Sequence, residues 1–214
     1  DVVYTLTGQT RSSVENITGI TIDNVLTLNE SEINSYLGND MSLSVYDVDN
    51  EWVDHVWSKD SGGDTSFTAY HYNGSGQLVY TVTGDTRSQV EGLASINATN
   101  VATLSAAEIE NVLVSGMSIA VYDVDENRVD HVWNRNNEGD VSFTQYHYDD
   151  LGKLVYTVSG DSRNAVDDFD GVPVSLIESY DENQIESYCD DGVSIAVYDT
   201  VHNRIDYVWA KDQD

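Results

Sequence analysis

Positive charge is scarce in this chain. Of its 214 residues, 9 are Lys or Arg and 38 are Asp or Glu, which gives a formal net charge of -29 at pH 7. Such a surface repels itself at low ionic strength, whereas at 1 M salt the Debye length falls to about 3 Å. The acids are spread among apolar and aromatic residues, which is not typical of a disordered acidic tail. We therefore expect a protein of a high-salt environment, with a secreted, calcium-dependent protein as the alternative.

Other scarce features exclude further classes. Cys189 is the only cysteine, so the chain has no intrachain disulfide framework and no Cys-based metal site. No apolar run is long enough to cross a membrane, so we expect no membrane insertion. Lys and Arg do not cluster, so we expect no nucleic-acid partner. Since the chain begins at Asp1 and not at Met, we expect a processed product or a fragment.

An internal repeat organises what is present. The stretch VVYTLTGQTRSSVE matches LVYTVTGDTRSQVE and LVYTVSGDSRNAVD without a gap, and Trp57, Trp133 and Trp209 are 76 residues apart. We predict an α+β fold of three tandem 76-residue modules, each a small antiparallel sheet with two short helices. The predicted modules are 1–62, which is one strand short, 63–138 and 139–214.

The same order of elements is expected in every module. A strand opens each copy, at Val3–Thr7, Val79–Thr83 and Val155–Ser159. A short amphipathic helix follows, then a second helix with a capping box, then two strands joined by a polar turn, in the first of which apolar residues alternate with Ser. A further strand, Ser66–Tyr72 or Ser142–Tyr148, then turns back through a short loop into the opening strand of the next copy. Cys189 stands where Leu37 and Leu113 stand in the other copies, so we expect its thiol in the core. The predicted capping boxes pair Asn29 with Glu32, Ser105 with Glu108 and Asp181 with Gln184.

The polar turns are candidates for a calcium site. Alternating carboxylates suit Ca²⁺, which takes six to eight oxygen ligands. The third turn has Val201 where the others have Asp, and the alternative is a solvated acidic hairpin. No cofactor is expected to be required, and Ca²⁺ is the candidate ion. The candidate ligands are Asp47, Asp49, Asp54, Asp123, Asp125 and Asp130.

Two further constellations repeat. Arg11, Arg87 and Arg163 stand at helix starts, where they predict anion sites; the alternative is a hydroxyl cap with Arg paired to neighbouring carboxylates. His55 and His71 are equidistant from Gly63, so we expect them opposite each other in an antiparallel pair. Two such imidazoles could hold a metal ion, but they are too few for a structural metal site. The alternative is that they belong to an aromatic face that stabilises the pairing of the two strands.

No nucleophile and base recur together, so we expect no enzyme. We expect a secreted or cell-surface structural repeat protein of a halophile, such as a subunit of a filament or surface layer. The alternative is a multivalent binding module for a glycan, an anion or a divalent cation, with three pseudo-equivalent sites. Expected partners are other copies, head to tail, or other surface proteins. The predicted assembly edge is uncharged: Val2, Val3, Tyr4, Thr5, Leu6 and Thr7.

Overall fold

Antiparallel strands and short capped helices alternate along the chain. The computed structural model describes residues 2–93, 95–167, 172, 177, 179–189 and 191–211. They divide into two units, Asp1–Val101 and Ala102–Asp214. The α+β class is confirmed, since both units combine an antiparallel sheet with short helices. The division into three modules stays a prediction.

Unit 1 is a five-stranded meander with three short helices. Its strands lie side by side in chain order, each antiparallel to the next. A single 3-10 turn at Val25–Thr27 precedes the second helix. The elements are β1 (Tyr4–Thr7), α1 (Arg11–Glu15), α2 (Glu30–Tyr36), β2 (Met41–Asp47), β3 (Trp52–Lys59), β4 (Thr65–Tyr72), β5 (Leu78–Gly84) and α3 (Arg87–Glu91).

The described residues of unit 2 form six strands, also antiparallel and in chain order. Another 3-10 turn, Val101–Thr103, precedes its first helix. The elements are α4 (Ala106–Val112), β6 (Met117–Asp123), β7 (Arg128–Arg135), β8 (Val141–Tyr148), β9 (Leu154–Gly160), α5 (Arg163–Asp167), α6 (Glu182–Tyr188), β10 (Ser194–Asp199) and β11 (Arg204–Ala210). Among the described residues, no helix combines the length and apolar character that a membrane crossing needs.

Helix starts follow the predicted caps. Asn29 Oδ1 accepts a hydrogen bond from Glu32 N at 3.1 Å, and Glu32 Oε2 accepts one from Asn29 N at 3.0 Å. The same reciprocal pair forms at Ser105 and at Asp181. All three predicted capping boxes are confirmed. Each one satisfies backbone donors that the first helical turn leaves without partners.

The core lies on one face of each sheet. Alternate residues of β2 are buried, and the residues between them, mostly Ser, are half-buried. Trp57 and Trp133 are fully buried, and Ile33 and Ile109 on the second helices are buried as well. The thiol of Cys189 is buried, which confirms its predicted place in the core. The opposite face carries hydroxyl pairs such as Thr68 and Thr83, whose Oγ1 atoms are 2.9 Å apart.

Candidate functional site

A β-bulge brings two consecutive residues of β3 into contact. His55 lies opposite Val45 and Val53 lies opposite Tyr46, so Asp54 has no partner on β2. Such an extra residue re-aims side chains that would otherwise point to opposite faces. As a result, Asp54 Oδ2 lies 2.7 Å from His55 Nδ1, with His55 buried and the Asp54 side chain about half exposed.

The same bulge recurs in β7 and β11. In β7, Asp130 Oδ2 lies 2.7 Å from the buried His131 Nδ1. In β11 the register against β10 shifts at the corresponding point, which leaves Asp206 as the extra residue. The next residue there is Tyr207, so the Asp–His pair occurs in two of the three equivalent strands.

Hydrogen bonding and nearby cations favour the ionised carboxylates. The hydrogen bond with His55 is the largest cause that lowers the pKa of Asp54, and the charge of Arg87 adds to it. The pKa of Asp130 is lowered in the same way by His131, with a contribution from Arg163. Burial opposes both shifts, but it does not outweigh the hydrogen bonds.

Two of the three predicted anion-binding arginines donate to backbone carbonyls of distant residues. Arg87 donates from Nη1 to Leu26 O at 2.8 Å and from Nε to Glu91 Oε1 at 2.6 Å. Arg163 donates to Ala102 O at 2.8 Å. These bonds satisfy donors that a bound anion would need.

Arg163 also lies against an aromatic face. Its Nη2 is 3.3 Å from His131 Nε2 and 3.4 Å from His131 Nδ1. Nη2 therefore lies about equally close to both ring nitrogens and is not in line with a single one. Its Cζ is 5.1 Å from the centroid of Phe143, so the cation also contacts that ring face.

Arg11 differs from the other two. Its side chain is 88% exposed, and its described partner is Glu15, four residues on, at 2.6 Å. The predicted hydroxyl caps are present, since Thr10 and Thr86 accept from the backbone of Ser13 and Gln89. Anion binding at Arg11, Arg87 and Arg163 stays a prediction.

The acid-rich turns use their first carboxylate internally. Asp47 Oδ1 accepts from Asp49 N at 2.9 Å and from Asn50 N at 3.2 Å. Asp123 accepts from Asp125 N and Glu126 N in the same manner. Within the described part of the chain, no three His, Cys, Asp or Glu residues are grouped to hold a metal. Calcium binding by these turns stays a prediction.

The expected pairing of two histidines across β3 and β4 is wrong. His55 lies opposite Ala69, and His71 lies opposite Tyr80 on β5. The hairpin is therefore centred on Gly62, one residue earlier than symmetry about Gly63 requires, and the partner of His55 moves from residue 71 to residue 69. His71 stacks on Tyr80, with ring centroids 4.2 Å apart, and burial lowers the pKa of His71.

An aromatic cleft lies in unit 1 where β3 begins and β4 ends. It encloses about 370 Å³. The rings of Trp52 and Tyr72 lie 4.9 Å apart, and Tyr72 Oη donates to Val53 O at 3.0 Å. We call this the Trp cleft; its lining includes Asp47, Trp52, Val53, Asp54, Tyr70, His71, Tyr72, Tyr80, Asn97 and Ala98.

Unit 2 has a smaller cleft at the corresponding place, of about 230 Å³. Arg128 takes the position that Trp52 has in unit 1, and its guanidinium lies 4.5 Å from the centroid of Tyr148. We call this the Arg cleft; it is lined by Asp123, Arg128, Val129, Asp130, Gln145, Tyr146, His147 and Tyr148.

The structure thus brings together part of what the sequence singled out. Asp47 and Asp54 line one cleft and Asp123 and Asp130 the other, whereas Asp49 and Asp125 line neither. Sequence reasoning missed Trp52 and Tyr72. The signal was their place at the ends of two consecutive strands, where a large ring has no strand beyond it to pack against.

No protein-family model matches the chain, and no curated protein matches it either. The repeated elements of the site are two clefts that combine tyrosine rings with carboxylates, each beside a buried histidine that contacts an aspartate.

Proposed function

We propose that the chain is a structural repeat protein of a halophile, secreted or on the cell surface, which assembles through the edges of its sheets. The observation that carries this proposal is a difference in burial among the three equivalent tryptophans. Trp57 and Trp133 are fully buried, each opposite a Phe on the following strand. The equivalent Trp209 on β11 is only half-buried.

The outer side of β11 is open in the described part of the chain. Its one described neighbour is β10, and the side chains of Ile205 and Val208 are 52% and 57% exposed. The equivalent residues of β3, Val53 and Val56, are half-buried. An apolar edge of this kind is a template for another strand.

The first strand offers a second such edge. β1 pairs with β2 from Tyr4 to Thr7, and it has no other described neighbour. Tyr4 is half-buried, whereas the equivalent Tyr80 and Tyr156 are 4% and 0% exposed. Val2 and Val3 lie before the strand, although Val3 O accepts from Tyr46 N at 3.0 Å. Two open edges on different strands favour head-to-tail association.

Light scattering in molar NaCl tests this proposal. Association should increase with protein concentration and should be reduced by Val208→Lys, because a lysine blunts a strand edge. Val114→Lys is the matched control, since Val114 is an exposed valine outside the strands. A monomeric parent protein at every concentration, or equal effects of the two variants, would contradict edge-mediated assembly.

The clefts favour a second candidate, a multivalent glycan-binding module. Aromatic faces can stack on the apolar side of a sugar ring while carboxylates accept its hydroxyl hydrogens. Saturable quenching of tryptophan emission by mono- and oligosaccharides, lost in Trp52→Ala, would support it. No response in the parent protein would contradict the binding of free sugars in the Trp cleft.

A further inference from the structure

Four sequons of the form Asn-x-Ser/Thr occur in the chain, and Asn97 is the one among them that lines the Trp cleft. They are Asn16, Asn29, Asn73 and Asn97. An N-linked glycan is attached through Nδ2. In Asn73 this atom donates to Gln77 Oε1 at 2.9 Å, within a tight turn, so it is already used.

Asn97 holds its amide in a different way. Its Oδ1 accepts from Thr99 N at 2.9 Å and from Asn100 N at 3.3 Å. These bonds fix the carbonyl end of the amide. Nδ2 makes no hydrogen bond to any described residue, and Asn97 is exposed. The nucleophilic end of the amide is therefore accessible and oriented.

Asn97 is also part of a cleft wall. Together with Ala98 it lines the Trp cleft, which contains the paired rings of Trp52 and Tyr72. Asp47 and Asp54 lie in the same lining. A sugar chain that starts at Asn97 thus begins beside aromatic faces and hydrogen-bond acceptors suited to sugars.

The Arg cleft provides a comparison within the same chain. Positions 76 residues after Trp52, Asn73 and Asn97 are Arg128, Asp149 and Pro173. This cleft therefore has neither the tryptophan nor a sequon beside it, and it is smaller. The aromatic cleft and the sequons occur together in one unit and are absent together from the other cleft.

We propose that Asn97 carries an N-linked glycan, and that this glycan packs into the Trp cleft against Trp52 and Tyr72. In the transfer, Nδ2 forms a bond to the anomeric carbon of the sugar and loses one proton. The bond from that carbon to the phosphate of a lipid-linked sugar donor breaks, and the lipid phosphate leaves. The inference rests on the extracellular location proposed above.

Mass spectrometry of the protein isolated from the cells that make it tests the attachment. The peptide that contains Asn97 should carry glycosyl mass increments, and Asn97→Gln should remove them. Asn16→Gln is the matched control, because Asn16 is also exposed but does not line the Trp cleft, and it should leave the mass of the Asn97 peptide unchanged. An unmodified Asn97 in secreted or surface protein overturns the inference and leaves the proposed location intact. Protein retained inside the cells overturns both.

Acrylamide quenching of tryptophan emission tests the packing. The glycosylated protein should be quenched less than Asn97→Gln, and this difference should vanish in a Trp52→Phe background. Equal quenching with Asn97 glycosylated means that the glycan does not occupy the cleft. An unmodified Asn97 combined with saturable binding of free sugars at Trp52 also overturns the inference, and it favours the binding module.

Discussion

Trp57 and Phe67 lie directly opposite each other on β3 and β4, with ring centroids 4.7 Å apart. Trp133 and Phe143 repeat this pair on β7 and β8, again at 4.7 Å. Both tryptophans are fully buried. A Trp–Phe pair is therefore buried in the core where another strand pairs with the strand that carries the tryptophan. Trp209 on β11 lacks a described partner of this kind.

Removal of a paired tryptophan should be far more damaging than removal of the unpaired one. We expect Trp133→Ala to lower the free energy of unfolding by about 3–5 kcal/mol, because it leaves a large cavity in a packed core. Trp209→Ala should cost clearly less, since that residue is only partly buried. Urea unfolding at a fixed molar NaCl concentration measures both. Equal losses would show that Trp209 is as well buried in solution as Trp133.

Acid should destabilise the fold partly through the Asp–His pairs. The pKa of Asp130 is lowered from its ordinary value of 3.8, so the carboxylate stabilises the folded state above that pH. This contribution is lost as the pH falls through the lower, folded-state pKa. We expect Asp130→Asn to reduce the loss of stability below about pH 4, by less than about 1 kcal/mol because the carboxylate is half exposed.

Asp206→Asn is the control for the acid experiment. Asp206 occupies the same bulge, but its neighbour is Tyr207 and not a histidine. Thermal unfolding as a function of pH, in constant molar salt, should show a change for Asp130→Asn and none for Asp206→Asn. A similar response of both variants would assign the effect to general charge and not to the His131 contact.

Folding should depend strongly on salt. With a net charge of -29, self-repulsion opposes the compact state until salt screens it. Circular dichroism across a NaCl series should show strand signal and melting temperature rising towards molar salt. The effect should saturate once the Debye length falls to about 3 Å. Full structure with unchanged heat stability at millimolar salt would contradict adaptation to high salt.

The calcium prediction can be tested without breaking the turns. Asp47 and Asp123 hold backbone donors, so we expect Ca²⁺ to bind weakly and chiefly through exposed carboxylates. Calorimetry at millimolar Ca²⁺ should detect binding that Asp49→Asn and Asp125→Asn remove. Asp23→Asn, an exposed aspartate outside these turns, is the control. The absence of saturable heat in the parent protein would exclude these calcium sites.

Local signals predicted much of the fold. Three predictions that depend on residues close together in the sequence are confirmed. They are the capping boxes, the alternating burial of strand β2 and the burial of Cys189. Strand β4 was predicted at Ser66–Tyr72 and is observed at Thr65–Tyr72. Its pairing with β5 through the short turn after Tyr72 is also confirmed.

Tertiary structure alone decided what these elements bring together. The sequence by itself determines the 76-residue spacing and the net charge of -29, because both follow from the order and type of the residues. The contact of Asp54 with His55 depends on a one-residue bulge, and periodicity predicts opposite faces for neighbours in a strand. The hydrogen bond from Arg87 to Leu26 O joins residues far apart in the chain. Trp52 and Asn97, which line the same cleft, are also far apart in the chain. Strand register and packing set such contacts, and a single misplaced residue in the register, as at His55 and His71, changes every partner.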